Sequence, residues 1–503
     1  MYKNLVIISI DSLRADATNF SHQAIHGRAE PRLKTPNLDK LAGQGSYIEK
    51  AYSTNTYTTA AHASLFTGRY PYQHQVRAFL DFHSTLNPTT PTLAEILHNQ
   101  GFQTFFYSDV PELFSSNDIW RGFRVKTKNN TNWFFNSLEE AKKDRNFIFL
   151  HLFDVHEPYL YIEDQNHKPN ANDDYYDSVT TLQKKLGYKS KLNPKKNPHD
   201  FWQEIRQHFR AEHLKEYPYL YPLYLAGVNY FDKYRLPYFL NQFDHLGYTS
   251  DNTLFIFLSD HGEGQTTFDT NNIIKFNHGG DITEDVLRIF LTISESGINR
   301  KLMSIADLSN LALSLLGVPY PKPIEYSLSR AVIPPHHLYA ESHYNIVGDK
   351  LAHGLTDQGT LAQITSHVLG SRAFITDSHK YILHGEPEYL ASSHSTEPAS
   401  VVIDRLFQSI FYRFSDSTSK KSLLGAHAHS PLEPDALAYK LLISPEKTLK
   451  PFTESFETTD LADHPIDDTS WTIQAKFHWL SALTTHVLHP RRHYRFSKLI
   501  NNY

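Results

Sequence analysis

Residues 4–16, NLVIISIDSLRAD, set a run of β-branched and aliphatic side chains directly against an aspartate. Such a run, with no polar alternation, suits a strand covered on both faces, as in a mostly parallel sheet. No small-residue cleavage site follows it, so it reads as a first strand and not as a signal peptide. Similar runs recur at 103–107, 146–153, 253–258 and 287–293. Helical stretches lie between them. TPTLAEILHNQG ends at Gly101, a C-cap signal, and SIADLSNLALSLLG spaces Ile305, Leu308, Ala312 and Leu315 along one stripe ahead of Gly317. Alternation of this kind predicts a doubly wound α/β fold.

The composition narrows the function classes. Of the 503 residues, 40% are hydrophobic and 13% aromatic, enough to bury a substantial core, and the net charge of -5 offers no polycationic surface for nucleic acid. There is no cysteine, which removes disulfides, thiolate metal sites and cysteine nucleophiles together. Any metal must be held by oxygen ligands and by some of the 30 histidines. The other apolar runs, NFIFLHLF and TLFIFL, fall far short of the ~20 residues of a membrane helix, so a soluble, cytoplasmic chain is expected.

Three regions are expected. A catalytic α/β domain spans 1–333, with an insertion at 160–222 whose QKKLGYKSKLNPKKNPHD is either a solvated loop or a lid drawing in an anionic substrate. A small α+β subdomain with antiparallel strands, including SRAFITDSHKYIL and SIFYRF, spans 334–425. An extension, 426–503, closes with a helix from Trp471 that docks on its own domain, its basic end running through Arg491, Arg492, Arg495 and Lys498.

Ligands of open α/β sheets bind beyond the carboxyl ends of the strands. The residues there are Asp11 after the first run, Asp154 and His156 after NFIFLHLF, and Asp260 and His261 after TLFIFLS. An Asp-His pair from one strand and an Asp from another make up a divalent metal site, imidazole favouring zinc or manganese over calcium or magnesium. An Asp-His dipeptide also serves as a helix cap or a surface turn. The hydroxyl-rich NTYTTAAHASLFTGRYP, residues 55–71, is equally ambiguous, since such side chains bond readily to their own backbone.

The chain resembles the sulfatase branch of the alkaline phosphatase superfamily. The matching pieces run in family order: NLVIISIDSLRAD, TPNLDKLAGQG, HASLFTGRYPYQHQV, LAEILHNQGFQTFFYSD, FIFLHLFDVHEPY, YLAGVNYFDKY, DNTLFIFLSDHGEG, NHGGDITEDVLRIFL and SIADLSNLALSLLGV. The resemblance implies an alkaline phosphatase-like fold, with a mostly parallel central sheet flanked by helices and a smaller C-terminal α+β subdomain. Sulfatases carry Cys or Ser, any residue, Pro, Ser and Arg ahead of their Ala-Ser-Leu-Leu-Thr-Gly helix start, and the first residue becomes formylglycine. Laid onto TTAAHASLFTG, that pattern puts Thr58 at the nucleophile position, Ala60 and Ala61 at the proline and serine, and His62 at the arginine.

A threonine cannot give the aldehyde hydrate that sulfatases use. Threonine-bearing relatives, including lipoteichoic acid synthases, phosphoethanolamine transferases and nucleotide pyrophosphatases, act on phosphoesters through a phosphothreonine. Where sulfatases have paired aspartates after the first strand, this chain has Asp11 and Ser12. The resemblance therefore implies one metal ion, zinc or manganese by preference and otherwise calcium or magnesium, held by Asp11, Thr58, Asp260 and His261. It also makes Thr58 a metal-activated nucleophile. His156 of DVHEPY and His278 of NHGG would bind the anion and protonate the leaving group, Lys275 would add charge, and His62 would orient Thr58 or pack at the helix start. The substrate expected is a small-molecule or glycan-linked phosphate ester. A sulfuric ester, or a binding protein that has lost catalysis, are the other readings. Asp154 raises the question of a second metal, but its spacing to His156 favours one.

Overall fold

The computed structural model describes residues 2–76, 85–128, 130–142, 144–159, 173–194, 198–212, 217–268, 274–279, 282–300 and 302–319, then four strand segments further on. In chain order the strands are β1 (Asn4–Ile10), β2 (Ser46–Tyr47), β3 (Lys50–Tyr52), β4 (Phe102–Ser108), β5 (Val125–Lys128), β6 (Arg145–Leu152), β7 (Thr253–Leu258), β8 (Gly264–Phe268), β9 (Ile274–Asn277), β10 (Leu291–Ile293), β11 (Leu302–Ser304), β12 (Leu338–His343), β13 (Gly370–Ile375), β14 (His379–Gly385) and β15 (Phe452–Thr458).

Seven of them form the central sheet in the order β2-β10-β7-β1-β6-β4-β5. The strands β7, β1, β6, β4 and β5 are parallel to one another, while β10 runs antiparallel between β7 and β2. The unbroken apolar runs follow from this arrangement. Val6, Ile8 and Ile10 enter one core and Leu5 and Ile7 the other, so no face of β1 meets water. Ile148, Leu150 and Leu152 of β6 divide from Phe147 and Phe149 in the same way.

The expected single strand over 287–293 is corrected. Glu284–Leu287 is a short helix, Arg288 and Ile289 make isolated bridges, and only Leu291–Ile293 is strand. The helical turn aims the carbonyls of Val286 and Leu287 at Gly262 N (2.7 Å) and Ser53 N (2.9 Å), tying together two loops that lead into the site. The helix Leu93–Asn99 has its C-cap at Gln100, with Gly101 one residue later in the left-handed region at φ 83°.

Within the range expected as an insertion, the described residues pack mostly as helices. Asp173–Leu186, Pro198–Ala211 and Tyr217–Tyr230 cover one face of the sheet. They are pinned to the loop after β6: Trp202 Nε1 and Arg206 Nη1 each donate to Glu157 Oε2 at 2.8 Å, and the Tyr175 hydroxyl donates to Pro158 O at 2.7 Å. Lys184, Lys185, Lys189 and Lys191 are exposed. Residues 160–172 lie outside the described residues.

The four-stranded sheet β12-β13-β14-β15 is antiparallel throughout, the described residues of SRAFITDSHKYIL lying in β13 and β14 and β15 coming from beyond Gly425. Its edge docks beside the Thr58 loop: Glu341 N donates to Thr54 O at 2.9 Å, and the Ser342 and Thr56 hydroxyls lie 2.7 Å apart. SIFYRF and the segment Trp471 to Tyr503, with its basic end, lie outside the described residues. No described helix is long and apolar enough to cross a membrane.

Candidate active site

The carboxyl ends of β1, β6 and β7 converge on the start of the helix Thr58–Thr67, whose positive dipole end faces them. Chain geometry sharpens the turn after β1. Ser12 holds φ 61°, a left-handed conformation that non-glycine residues seldom adopt, and its hydroxyl donates to Asp11 Oδ1 at 2.8 Å. Asp11, Asp260 and His261 come together there, fully buried, with one ligand atom of each within 4.8 Å of the others.

Thr58 Oγ1 donates to Asp11 Oδ2 at 3.1 Å and lies 3.3 Å from His261 Nε2. His261 Nδ1 lies 2.9 Å from the Gly262 carbonyl, which can only accept, so its proton is on Nδ1 and the Nε2 lone pair faces Thr58. Burial, with the nearby His278, pushes the His261 pKa down to about 3, which keeps this lone pair free. Asp260 Oδ1 accepts from His261 N (2.9 Å) and Ser12 N (3.3 Å), but Asp260 Oδ2 is buried with no hydrogen-bond partner. Burial and the charge of Asp11 push the Asp260 carboxyl well up. Two facing buried carboxylates, an orphaned oxygen, an imidazole lone pair and a hydroxyl fit a dication, which would relieve both the repulsion and the orphan.

His151 was not singled out from the sequence, yet it is part of this site. Its Nε2 donates to Asp11 Oδ2 at 3.0 Å, and its Nδ1 accepts from the Ser108 hydroxyl at 3.0 Å, an oxygen that itself accepts from Val110 N. Register puts Ser9, His151 and Ser108 on one rung of β1, β6 and β4. The only signal was a histidine inside the apolar NFIFLHLF.

His62 sits behind Thr58, buried among Phe66, Phe114, Phe149 and His151. Nδ1 donates to the Thr58 carbonyl at 2.7 Å and Nε2 accepts from the Ser9 hydroxyl at 2.8 Å. Both ring nitrogens are thus spent on holding the first helical turn, and burial pushes its pKa well down.

His278 stacks on His261 with ring centroids 4.5 Å apart and lies 4.8 Å from His156, which in turn stacks on Phe153 at 4.0 Å. Burial alone would lower the His278 pKa, but the charge and hydrogen bond of Glu263, whose Oε2 is 3.3 Å from Nδ1, together with the charges of Asp11 and Glu157, outweigh it and push the value up to about 9. Gly279 (φ 83°) must be glycine on two counts, since a Cβ there would stand 2.3 Å from the Tyr57 ring. Asp154 faces elsewhere: its Oδ2 is 3.4 Å from Arg235 Nε, a guanidinium also paired with Asp109 at 2.7 Å. Lys275 lies on β9 opposite Thr267, and its side chain is outside the described residues.

A family model described as Sulfatase matches residues 3–318, more than half of the chain. Over 75 residues the chain is 33% identical to an N-acetylgalactosamine-6-O-sulfatase of Bacteroides thetaiotaomicron, a match covering 14% of this chain and 15% of that protein. Over 73 residues it is 41% identical to a multifunctional alkaline phosphatase superfamily protein of Trinickia caryophylli, covering 14% of each. The chain thus matches well under two thirds of either relative's length. A solved protein of glycosaminoglycan metabolism in Bacteroides thetaiotaomicron shares the fold at a TM-score of 0.51 and 15% identity, over 77% of this chain and 87% of that one.

Proposed function

The chain belongs to the sulfatase family, and from that premise we propose that it is a metal-dependent hydrolase or transferase of phosphoric esters working through Thr58. The observation that carries this reading is the placement of Thr58 Oγ1 between Asp11 Oδ2 and His261 Nε2, at the start of a buried helix. A threonine there has no route to an aldehyde hydrate, and neither the cysteine nor the serine that sulfatases convert stands at that position.

Asp11, Asp260, His261 and Thr58 would hold a dication of the zinc or manganese class, which lowers the pKa of a coordinated hydroxyl and neutralises charge on the transferred group. The residues of the chain do the rest. His151 fixes the Asp11 carboxylate, and His62 fixes the backbone of Thr58. Thr58 gives up its hydroxyl proton to solvent as its oxygen is drawn to the transferred group. Its oxygen then bonds to phosphorus as the ester oxygen departs, taking a proton from His278. Water, or an acceptor alcohol, afterwards takes the phosphoryl group from Thr58 and returns a proton to His278, while the departing Thr58 oxygen takes a proton back from solvent.

This assignment has a pH signature. His278 is protonated below its pKa, so acid assistance is present below about 9 and lost as pH rises through it. In Glu263→Gln the largest of the raising charges is gone, and the alkaline limb of kcat/KM should move down toward the ordinary histidine value of ~6.5. An alkaline limb that stays in place would remove His278 as the acid.

A sulfuric ester is the second reading, favoured by the 33% match to an N-acetylgalactosamine-6-O-sulfatase. Parallel assays of the metal-loaded protein on an aryl phosphodiester, an aryl phosphomonoester and an aryl sulfate decide between them. Turnover of either phosphate ester in clear excess over the sulfate is expected; sulfate turnover alone would reverse the assignment.

A further inference from the structure

A second cluster of metal-ligating side chains lies on the loop and helix that follow Asp11. His22 and His26 are four residues apart on the helix Asn19–His26, so both project from one face, with ring centroids 4.5 Å apart. The helix is fixed at its start by the Thr18–Ser21 capping box. Asp16 comes from the preceding loop, its Oδ2 2.8 Å from His26 Nε2. One ligand atom from each of the three lies within 4.8 Å of the others.

Each group is set for coordination. A carboxylate offers about four lone-pair positions. Arg14 occupies one on each oxygen of Asp16, Nε to Oδ1 and Nη2 to Oδ2, both at 2.9 Å, which holds the carboxylate charged and in place while leaving Oδ2 capacity toward the histidines. His22 Nδ1 lies 2.8 Å from the Arg28 carbonyl, which can only accept; the proton is therefore on Nδ1, and in the uncharged ring the lone pair is on Nε2. The His26 side chain is 30% exposed, which gives an ion a way in and lets water complete the coordination.

We propose that Asp16, His22 and His26 form a second metal site, for a borderline transition dication of the zinc class, separate from the Thr58 site. Two imidazoles and one carboxylate select zinc, cobalt or nickel over calcium and magnesium. Because Arg14 also donates to Glu263 O at 2.8 Å, the site would brace the loop between Asp11 and the histidine cluster.

The test is zinc stoichiometry on the full chain, by competition with a colorimetric chelator. Wild type should hold two ions. Asp260→Asn, which disables the first site, and His22→Gln/His26→Gln, which disables the second, should each hold one. Two ions in a folded His22→Gln/His26→Gln protein would overturn the proposal. Cobalt loaded into Asp260→Asn gives a reading that does not depend on the double variant folding: the strong visible absorption of a low-coordinate histidine site is expected, and its absence would equally overturn the site.

Discussion

Thr58→Ala should lose turnover of every substrate by ~10³-fold or more while remaining folded, because a nucleophile acts as a unit with its activating groups. The structural cost is small. Thr58 gives no side-chain cap to its helix, whose N-cap is Tyr57, and the substitution removes one hydroxyl and one methyl from a buried position. A loss of ~1–2 kcal/mol is expected, well inside the usual stability of a domain. Circular dichroism and thermal melting check the fold and a single-turnover assay checks the chemistry. Wild-type rates in a folded Thr58→Ala protein would hand the nucleophile's role to water or to another side chain.

Asp260→Asn separates the metal from the fold. The asparagine oxygen can keep both backbone donors now taken by Asp260 Oδ1, while its amide replaces the orphaned Oδ2 and faces the His261 Nε2 lone pair, 3.5 Å away. In chelator the variant should therefore melt no lower than wild type, since an unpaired buried polar group of ~1–3 kcal/mol has been removed. With zinc or manganese added, wild type should gain stability, ~2.7 kcal/mol at a hundredfold excess over Kd. The variant should lose most of that first-site gain, along with turnover. Its metal affinity should fall by more than the ~10–100-fold typical of altering an outer hydrogen bond. Equal metal stabilisation in the two proteins would contradict the ligand assignment.

The parts of the site legible in the sequence are those that end strands. Asp11, Asp260 and His261 stand out because an apolar run stops at each, and the sheet brings such residues to one edge. His151 was not legible, because its partners Ser9 and Ser108 become neighbours only through the register of β1, β6 and β4. Glu263 hid in DHGEG, where nothing in the local pattern distinguishes a charge partner of His278 from a turn residue. His62 could be aligned but not oriented: the same histidine can face a substrate or its own helix, and only burial by four aromatic rings decides for the helix. The break in the run 287–293 has a similar origin, since the carbonyls of Val286 and Leu287 answer to distant loops, Gly262 and Ser53.

The most direct test of the central claim is mass spectrometry of the protein quenched during turnover of an aryl phosphate ester, with peptide mapping across residues 55–71. One added phosphoryl group on Thr58, absent from Thr58→Ala, is the result this mechanism requires. Steady turnover with Thr58 unmodified, in protein quenched fast enough to trap an intermediate on any other residue, would contradict it.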